Sequence, residues 1–294
     1  MHTTPRRPRL LAAALSLAAG LGLSACDAPE RYDMSFEEFR DLAYQEPESG
    51  IYIVDGDTPV ENIEQLRAVY ERMIAEDGDA PEFRLAVYNI GGADVVWDDA
   101  AKKNITYCVS EQSFGSRYQE VVDAMEAATG AWEAVADVDF IHDAAKDGSC
   151  SFKTDVTFDV RATSGGQYLA RAFFPNTARK SRNVLIDGTA FGYQDPSLTG
   201  VLRHELGHAL GLRHEHTRPE AGVCYEDSSW RPLTAYDSDS VMHYPQCNGT
   251  GDWSLKLTPQ DAAGVAALYG SPSGGGDGGS GGSGGGKGGG KGKK

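Results

Sequence analysis

The sequence carries little positive charge for its length. Its 294 residues include 27 lysines and arginines against 43 aspartates and glutamates, which gives a formal net charge of -16. Because phosphate backbones are bound by clustered basic side chains, this balance argues against a nucleic-acid partner. The hydrophobic share of 40% and the charged share of 24% are those of a globular chain rather than a disordered or fibrous one.

Apolar runs long enough to cross a membrane are also missing. The run from Leu10 to Leu23 is too short to span a bilayer comfortably. It follows three arginines and ends in Leu23-Ser24-Ala25-Cys26, so residues 1–26 are interpreted as an export signal. This leader resembles the lipobox of bacterial lipoproteins, which implies a lipid anchor at Cys26, contact with a membrane and a place in the bacterial cell envelope. An ordinary cleaved signal and a secreted product are the alternative.

Cysteines are few, and no C-x-x-C pair occurs, which argues against zinc-ribbon and redox sites. Beyond the leader there are four of them, at Cys108, Cys150, Cys224 and Cys247. An even number of cysteines in an exported chain favours disulfide bonds. Three pairings are possible, and proximity in the sequence favours Cys108 with Cys150 and Cys224 with Cys247.

Patterning divides the rest of the chain into three parts. Residues 27–100 alternate short helical and extended patterns and predict a small α+β segment. Residues 101–270 predict a larger α+β domain, in which a strand, a long helix and several further strands form a sheet with a helix on its face. Residues 271–294 are dominated by Gly, Ser and Lys and predict a disordered tail, because they lack the apolar side chains needed for a core.

The strongest motif is His204-Glu205-Leu206-Gly207-His208. On an α-helix, residues four apart project within about 40° of each other, so both imidazoles can bind one metal ion. Glu205 lies between them and is close enough to reach a metal-activated water rather than the metal itself. Histidines of an ordinary core or surface helix are the alternative.

His214 is a third candidate ligand only if this helix ends before it. Six residues beyond His208, a continued helix would rotate it by about 240° and carry it about 9 Å away. Gly211 can adopt the left-handed conformation that ends a helix and turns the chain back. Three neutral histidines leave zinc an open position for water, which is typical of catalytic sites.

These residues resemble the signature of the metzincin zinc endopeptidases, H-E-x-x-H-x-x-G-x-x-H followed by a Met-turn. Ser240-Val241-Met242-His243-Tyr244 supplies the second element. Glu215 after the third histidine is most similar to the astacin branch and to bacterial dual-action HEIGH metallopeptidases. The resemblance covers roughly residues 100–270. It implies an α+β, metzincin-like domain with a twisted mixed sheet, a backing helix, an active-site helix and a C-terminal helix.

The resemblance also implies a role for each motif residue around one catalytic Zn²⁺. The zinc ligands are His204, His208 and His214, the general base and acid is Glu205, the residue beneath the metal is Met242, and the residue that stabilises the oxyanion is Tyr244. Tyr168–Pro175 is similar to the metzincin edge strand that pairs with extended substrate, since an unpaired sheet edge is a template for a peptide backbone. An interior strand is the alternative for this segment.

Residues 27–100 are interpreted as an inhibitory pro-segment. Val54-Asp55-Gly56-Asp57 is similar to the Phe-x-Gly-Asp motif by which astacin pro-segments place an aspartate on zinc, although the Phe is missing. Asp57 is therefore the candidate latency residue, and a solvated turn is the alternative. The expected function is that of an exported, monomeric zinc endopeptidase acting on proteins or peptides. The alternative is a zinc-containing pseudoenzyme that binds peptides without cutting them.

Overall fold

The structure is a computed structural model that describes residues 34–74, 85–224 and 226–272. Its helices are α1 (Phe36–Leu42), α2 (Ile63–Ile74), α3 (Glu111–Phe114), α4 (Tyr118–Glu133), α5 (Leu198–Ala209) and α6 (Pro259–Tyr269). Its strands are β1 (Tyr44–Gln45), β2 (Tyr52–Val54), β3 (Thr58–Val60), β4 (Ala86–Ile90), β5 (Ala93–Asp94), β6 (Ile105–Val109), β7 (Phe140–His142), β8 (Phe158–Thr163), β9 (Ala170–Arg171), β10 (Asn183–Asp187) and β11 (Trp230–Pro232). The leader with Cys26 and the chain from residue 273 onward lie outside the described residues.

The central sheet is mixed and has the strand order β7-β6-β8-β10-β9. Four strands are parallel, and β9 is antiparallel to β10, with Leu185 opposite Arg171 and Ile186 opposite Ala170. β9 occupies the edge of this sheet, as the resemblance implies for Tyr168–Pro175, but only two residues of that segment pair as a strand. The α+β fold class expected from the sequence is confirmed.

Two helices pack together beside the central sheet and position the candidate site. The fully buried Trp132 of α4 donates its indole N–H to the carbonyl oxygen of Arg203 on α5 at 2.9 Å. Ser197 caps the start of α5 by accepting a hydrogen bond from the backbone N–H of Gly200. An N-cap of this kind contributes about 1 kcal/mol. α5 is therefore fixed both at its N-terminus and along its length.

The C-terminal helix α6 holds the loop that carries Met242. Thr258 and Asp261 form a capping box at its N-terminus. The buried Asp261 carboxylate also accepts hydrogen bonds from the Ser240 hydroxyl at 2.6 Å and from the Val241 backbone N–H at 2.9 Å. Helix α6 thus fixes the segment that precedes Met242.

The N-terminal segment has a small core of its own. Strands β1, β2 and β3 form an antiparallel sheet, and Phe36, Val54, Val60 and Leu66 pack between it and the helices α1 and α2. It nevertheless belongs to the same compact unit as the larger domain, and this unit begins at Met34. Ile51 and Ile53 join the two parts by packing against Tyr168 and Leu185.

The packing boundary between these two parts precedes the boundary expected at residue 100. Strand β4 pairs with β11 from the far end of the domain, and Leu85 and Trp97 lie in the main core. Trp97 also donates its indole N–H to the Ala209 carbonyl oxygen at the end of α5. Residues 85–97 therefore pack with the larger domain, because β11, which the local pattern does not predict, pairs with β4.

Two disulfides join the cysteine pairs that proximity favours. Cys108 bonds to Cys150 and Cys224 bonds to Cys247, each with Cα atoms 5.7 Å apart. The first connects β6 to the segment before β8, and the second closes the segment that contains the Met-turn. Within the described ranges, none of the helices has the length and apolar character needed to cross a bilayer.

Candidate metal centre

Two of the three candidate ligands lie on successive turns of α5. His204 donates its Nδ1–H to the Val241 carbonyl oxygen at 2.7 Å, and His208 donates its Nδ1–H to the Leu212 carbonyl oxygen at 2.8 Å. A carbonyl oxygen only accepts hydrogen bonds, so each ring carries its proton on Nδ1 and turns the lone pair of Nε2 towards the site. Both side chains are buried. The backbone thus sets the orientation and the tautomer that a metal ligand needs.

The third histidine reaches the same point because the chain reverses at Gly211. This glycine has a φ of +89°, and a Cβ there would collide with the carbonyl oxygen of Val95. Both the left-handed backbone and the close approach require glycine. After the turn, the Nε2 atom of His214 lies 3.2 Å from that of His204.

The nitrogen geometry fits zinc. Two nitrogens bound tetrahedrally at 2.0–2.1 Å lie about 3.3 Å apart, close to the observed separation of His204 and His214. Two lone pairs that face each other at such a distance repel unless a cation or a proton lies between them. The buried Nε2 of His208 has no hydrogen-bond partner in the described part of the chain. These three residues and Asp57 present one ligand atom each within 4.8 Å of one another.

Asp57 reaches this centre from the N-terminal segment. Its carboxylate oxygens lie 3.2 Å from the Nε2 atoms of His204 and His214 and 3.6 Å from that of His208. Burial opposes ionisation, but the positive charge of His214 and the close approach of the three imidazoles outweigh it and hold the pKa of Asp57 well below its ordinary value. An ionised carboxylate therefore faces the point on which the imidazoles converge.

A tight turn brings Asp57 to this position. Asp55 and Gly56 precede it with φ values of 54° and 96°, and a Cβ on Gly56 would lie 3.1 Å from the hydroxyl oxygen of Tyr244. Glycine is the residue that permits both the backbone conformation and the contact. The Tyr244 hydroxyl donates a short hydrogen bond to the Asp57 carboxylate.

Glu205 is buried beside the same centre. One of its carboxylate oxygens, Oε2, has no hydrogen-bond partner among the described residues. Burial and the negative charge of Asp57 raise the pKa of Glu205 well above its ordinary value, while His214, Arg171 and the Ala172 backbone lower it. A carboxylate with an unsatisfied oxygen is available to a reacting group.

Met242 packs closely against α5 at Gly207, which lies between His204 and His208 in the sequence. It is fully buried, and a Cβ on Gly207 would collide with its sulfur. Its carbonyl oxygen accepts a hydrogen bond from the backbone N–H of Glu215 at 2.8 Å. The Met-turn is therefore tied to the residue that follows the third histidine.

Glu226 supports the candidate metal centre, and the sequence patterns do not predict this role. Its buried carboxylate accepts a short hydrogen bond from His214 Nδ1 and lies 3.3 Å from the Nε2 atom of His216. Arg213 donates to its second oxygen at 2.7 Å. Burial opposes its ionisation, but His214 and Arg213 outweigh that effect and lower the pKa of Glu226. No motif marks it, because it lies in an irregular segment twelve residues after His214.

Three histidines, a buried glutamate and a tyrosine thus converge on one candidate metal centre. Residues 97–225 match a family model described as Matrixin. The chain is 26% identical to the hatching enzyme of Paracentrotus lividus over 195 residues, which are 63% of this chain and 28% of that protein. It is 29% identical to stromelysin-3 of Homo sapiens over 182 residues, which are 58% of this chain and 32% of that protein.

The matched region is thus less than a third of the length of these curated relatives. Among solved structures, that of myroilysin superposes with a TM-score of 0.45 at 19% identity, covering 63% of this chain and 98% of the other. The resemblance to metzincin zinc metallopeptidases is confirmed. Within that class, the matching family model is the matrixin one, and the Glu215 and Met-His-Tyr features remain astacin-like.

Proposed function

We propose that this chain is an exported zinc endopeptidase made as a latent precursor, with one catalytic ion. The observation that carries the proposal is the convergence of three Nε2 lone pairs on one point beside the buried carboxylate of Glu205. His204, His208 and His214 would hold the zinc. Bound zinc supplies a Lewis acid that polarises a carbonyl group and lowers the pKa of water.

The chain's own residues supply the proton transfers. Glu205 accepts a proton from the attacking water and delivers it to the leaving amine, a role that typically contributes 10² to 10⁴ in rate. The Tyr244 hydroxyl donates a hydrogen bond to the oxyanion as negative charge develops on it. The outer edge of β9 pairs with the extended backbone of the substrate and orients its scissile bond.

Latency follows from the position of Asp57. Its carboxylate takes the place at which water and the substrate carbonyl would approach the three histidines, and it also engages the Tyr244 hydroxyl. Residues 34–74, which include Asp57, would be the inhibitory part of the pro-segment. Activation then requires this part to leave. Export with lipidation at Cys26 and a monomeric state are further parts of the proposal and rest on the sequence.

The test uses full-length protein with a specific protease site inserted between α2 and β4. After cleavage there, the protein should hydrolyse casein and lose that activity with a zinc chelator, and zinc should restore it. Glu205→Gln, which keeps the shape of the side chain, should lower kcat by at least 10² while zinc content stays unchanged.

The peptide-binding pseudoenzyme is the outcome that would replace this proposal. It requires full zinc occupancy and peptide binding without turnover after cleavage.

Asp41→Asn is a matched control, because Asp41 is an exposed carboxylate of α1 that pairs only with its neighbour Arg40 in the described contacts. It should leave casein hydrolysis unchanged.

A further inference from the structure

A second buried carboxylate of the N-terminal segment contacts the edge strand beside the metal centre. Glu46 accepts hydrogen bonds from Arg171 Nε at 2.7 Å and from Arg171 Nη2 at 2.9 Å. The Tyr168 hydroxyl donates to the same carboxylate at 2.6 Å. Three donors of the catalytic domain thus surround one carboxylate, and the two from arginine form the bidentate arrangement that carboxylates favour.

The catalytic domain holds this arginine in place without help from Glu46. Arg171 Nη1 donates to the Asn183 side-chain oxygen at 2.6 Å, and Asn183 lies on the neighbouring strand β10. The edge of the guanidinium that carries Nε and Nη2 therefore keeps its orientation when Glu46 departs. In the precursor this guanidinium is 1% exposed, and the departure of Glu46 leaves its Nε and Nη2 donors without the carboxylate that they bind in bidentate fashion.

This donor group lies close to the reacting groups. Ala172, the next residue, lowers the pKa of Glu205 through a backbone hydrogen bond, and Phe174 packs its ring against His208 with centroids 5.5 Å apart. Three residues of chain span at most about 11 Å, so Arg171 is within that distance of Phe174. No other strand pairs with the outer side of β9 in the described ranges, so substrate laid along this edge passes Arg171.

The surroundings favour negative charge despite the acidic composition of the chain. The cavity that Glu46 and Arg171 line has a volume of about 770 Å³. It is also lined by Lys180, by Arg161, which is paired with Asp159, and by Glu48, which belongs to the N-terminal segment and departs with Glu46. At hydrogen-bond range, the charges of Arg171 and Lys180 outweigh the more distant acidic surface, whose field is screened within about 8–10 Å at physiological salt.

We propose that Tyr168 and Arg171 form a carboxylate subsite that selects substrates with an Asp or Glu side chain near the scissile bond. Glu46 occupies this subsite in the precursor and is replaced by the substrate carboxylate after activation. The proposal rests on the endopeptidase function proposed above. A free C-terminal carboxylate has the same chemistry, so the test must distinguish chain ends from side chains.

The experiment uses the full chain cleaved between α2 and β4 and peptides amidated at the C-terminus. Each peptide carries Glu or Gln at one position around the scissile bond. For one of these positions, kcat/KM should be about 10- to 100-fold higher for the Glu peptide than for the matching Gln peptide. This is the range expected for hydrogen bonds between charged groups. In Arg171→Met this ratio should fall to about one, and in Tyr168→Phe it should fall partly. Arg171→Lys should retain part of it.

Equal rates for Glu and Gln at every position, or a preference that survives in Arg171→Met, would overturn the subsite and leave the endopeptidase function intact. A gain seen only with a free C-terminal carboxylate would overturn the side-chain assignment. If no peptide is cleaved, the subsite is tested by binding, measured as the fluorescence polarisation of labelled Glu and Gln peptides. Glu-selective binding that Arg171→Met abolishes supports the subsite, whereas equal binding overturns it. Thermal unfolding confirms that each variant is folded, and Arg171→Lys serves as the reference if Arg171→Met is unstable.

Discussion

Asp57→Asn should activate the uncut precursor. The substitution preserves the shape of the side chain but removes the charge that faces the three imidazoles at 3.2 to 3.6 Å. Removing one partner from a buried charged network costs about 3–5 kcal/mol. At about 1.4 kcal/mol per tenfold change, the ratio of open to closed precursor should rise by a factor of about 10² to 4 × 10³. While the closed form still dominates, activity should rise by the same factor.

The assay is hydrolysis of a quenched fluorescent peptide by intact full-length protein, with mass spectrometry to establish that the chain stays uncut. Asp41→Asn, on the same segment but exposed, is the matched control and should remain latent. If uncut Asp57→Asn is as inactive as the wild type, while both are equally active after cleavage between α2 and β4, Asp57 does not maintain latency.

Three further predictions concern the supports of the site. Glu226→Gln should weaken zinc binding by about 10- to 100-fold in a chelator competition, because it removes the charged partner of a ligand histidine; unchanged affinity would contradict this role. Gly211→Ala should lower the free energy of unfolding by more than 1 kcal/mol in urea titrations, since it places a Cβ against Val95 at a φ of +89°; wild-type stability would show that the turn relaxes. Burial opposes ionisation of Glu46, but Arg171 outweighs it and lowers the pKa from 4.5. Docking of the N-terminal segment should therefore be stabilised at pH values above 4.5 and weaken as pH falls through the lowered pKa. Limited proteolysis between pH 6 and pH 3 would detect this, and Glu46→Gln should remove that part of the dependence.

The parts of the site that follow from local geometry could be predicted from the sequence. The helical spacing of His204 and His208 predicts their common direction, and Gly211 predicts the turn that brings His214 back. Periodicity likewise predicts the long helix α4 and the several strands of the central sheet. In each case a few neighbouring residues determine the outcome.

The parts that depend on distant pairing could not be predicted. Glu46 and Arg171 are 125 residues apart, and although Arg171 lies in the expected edge strand, no sequence pattern marks Glu46 as its partner. Glu226 reaches His214 through an irregular segment. Strand β11 has three residues, too few for an alternating pattern to stand out, yet its pairing with β4 moves residues 85–97 into the larger core.

The bridge between Cys224 and Cys247 encloses both the partner of one ligand and the tyrosine of the site. Glu226 follows the first cysteine by two residues, and Tyr244 precedes the second by three. A thiol reductant that opens this loop should therefore loosen metal retention without altering any ligand.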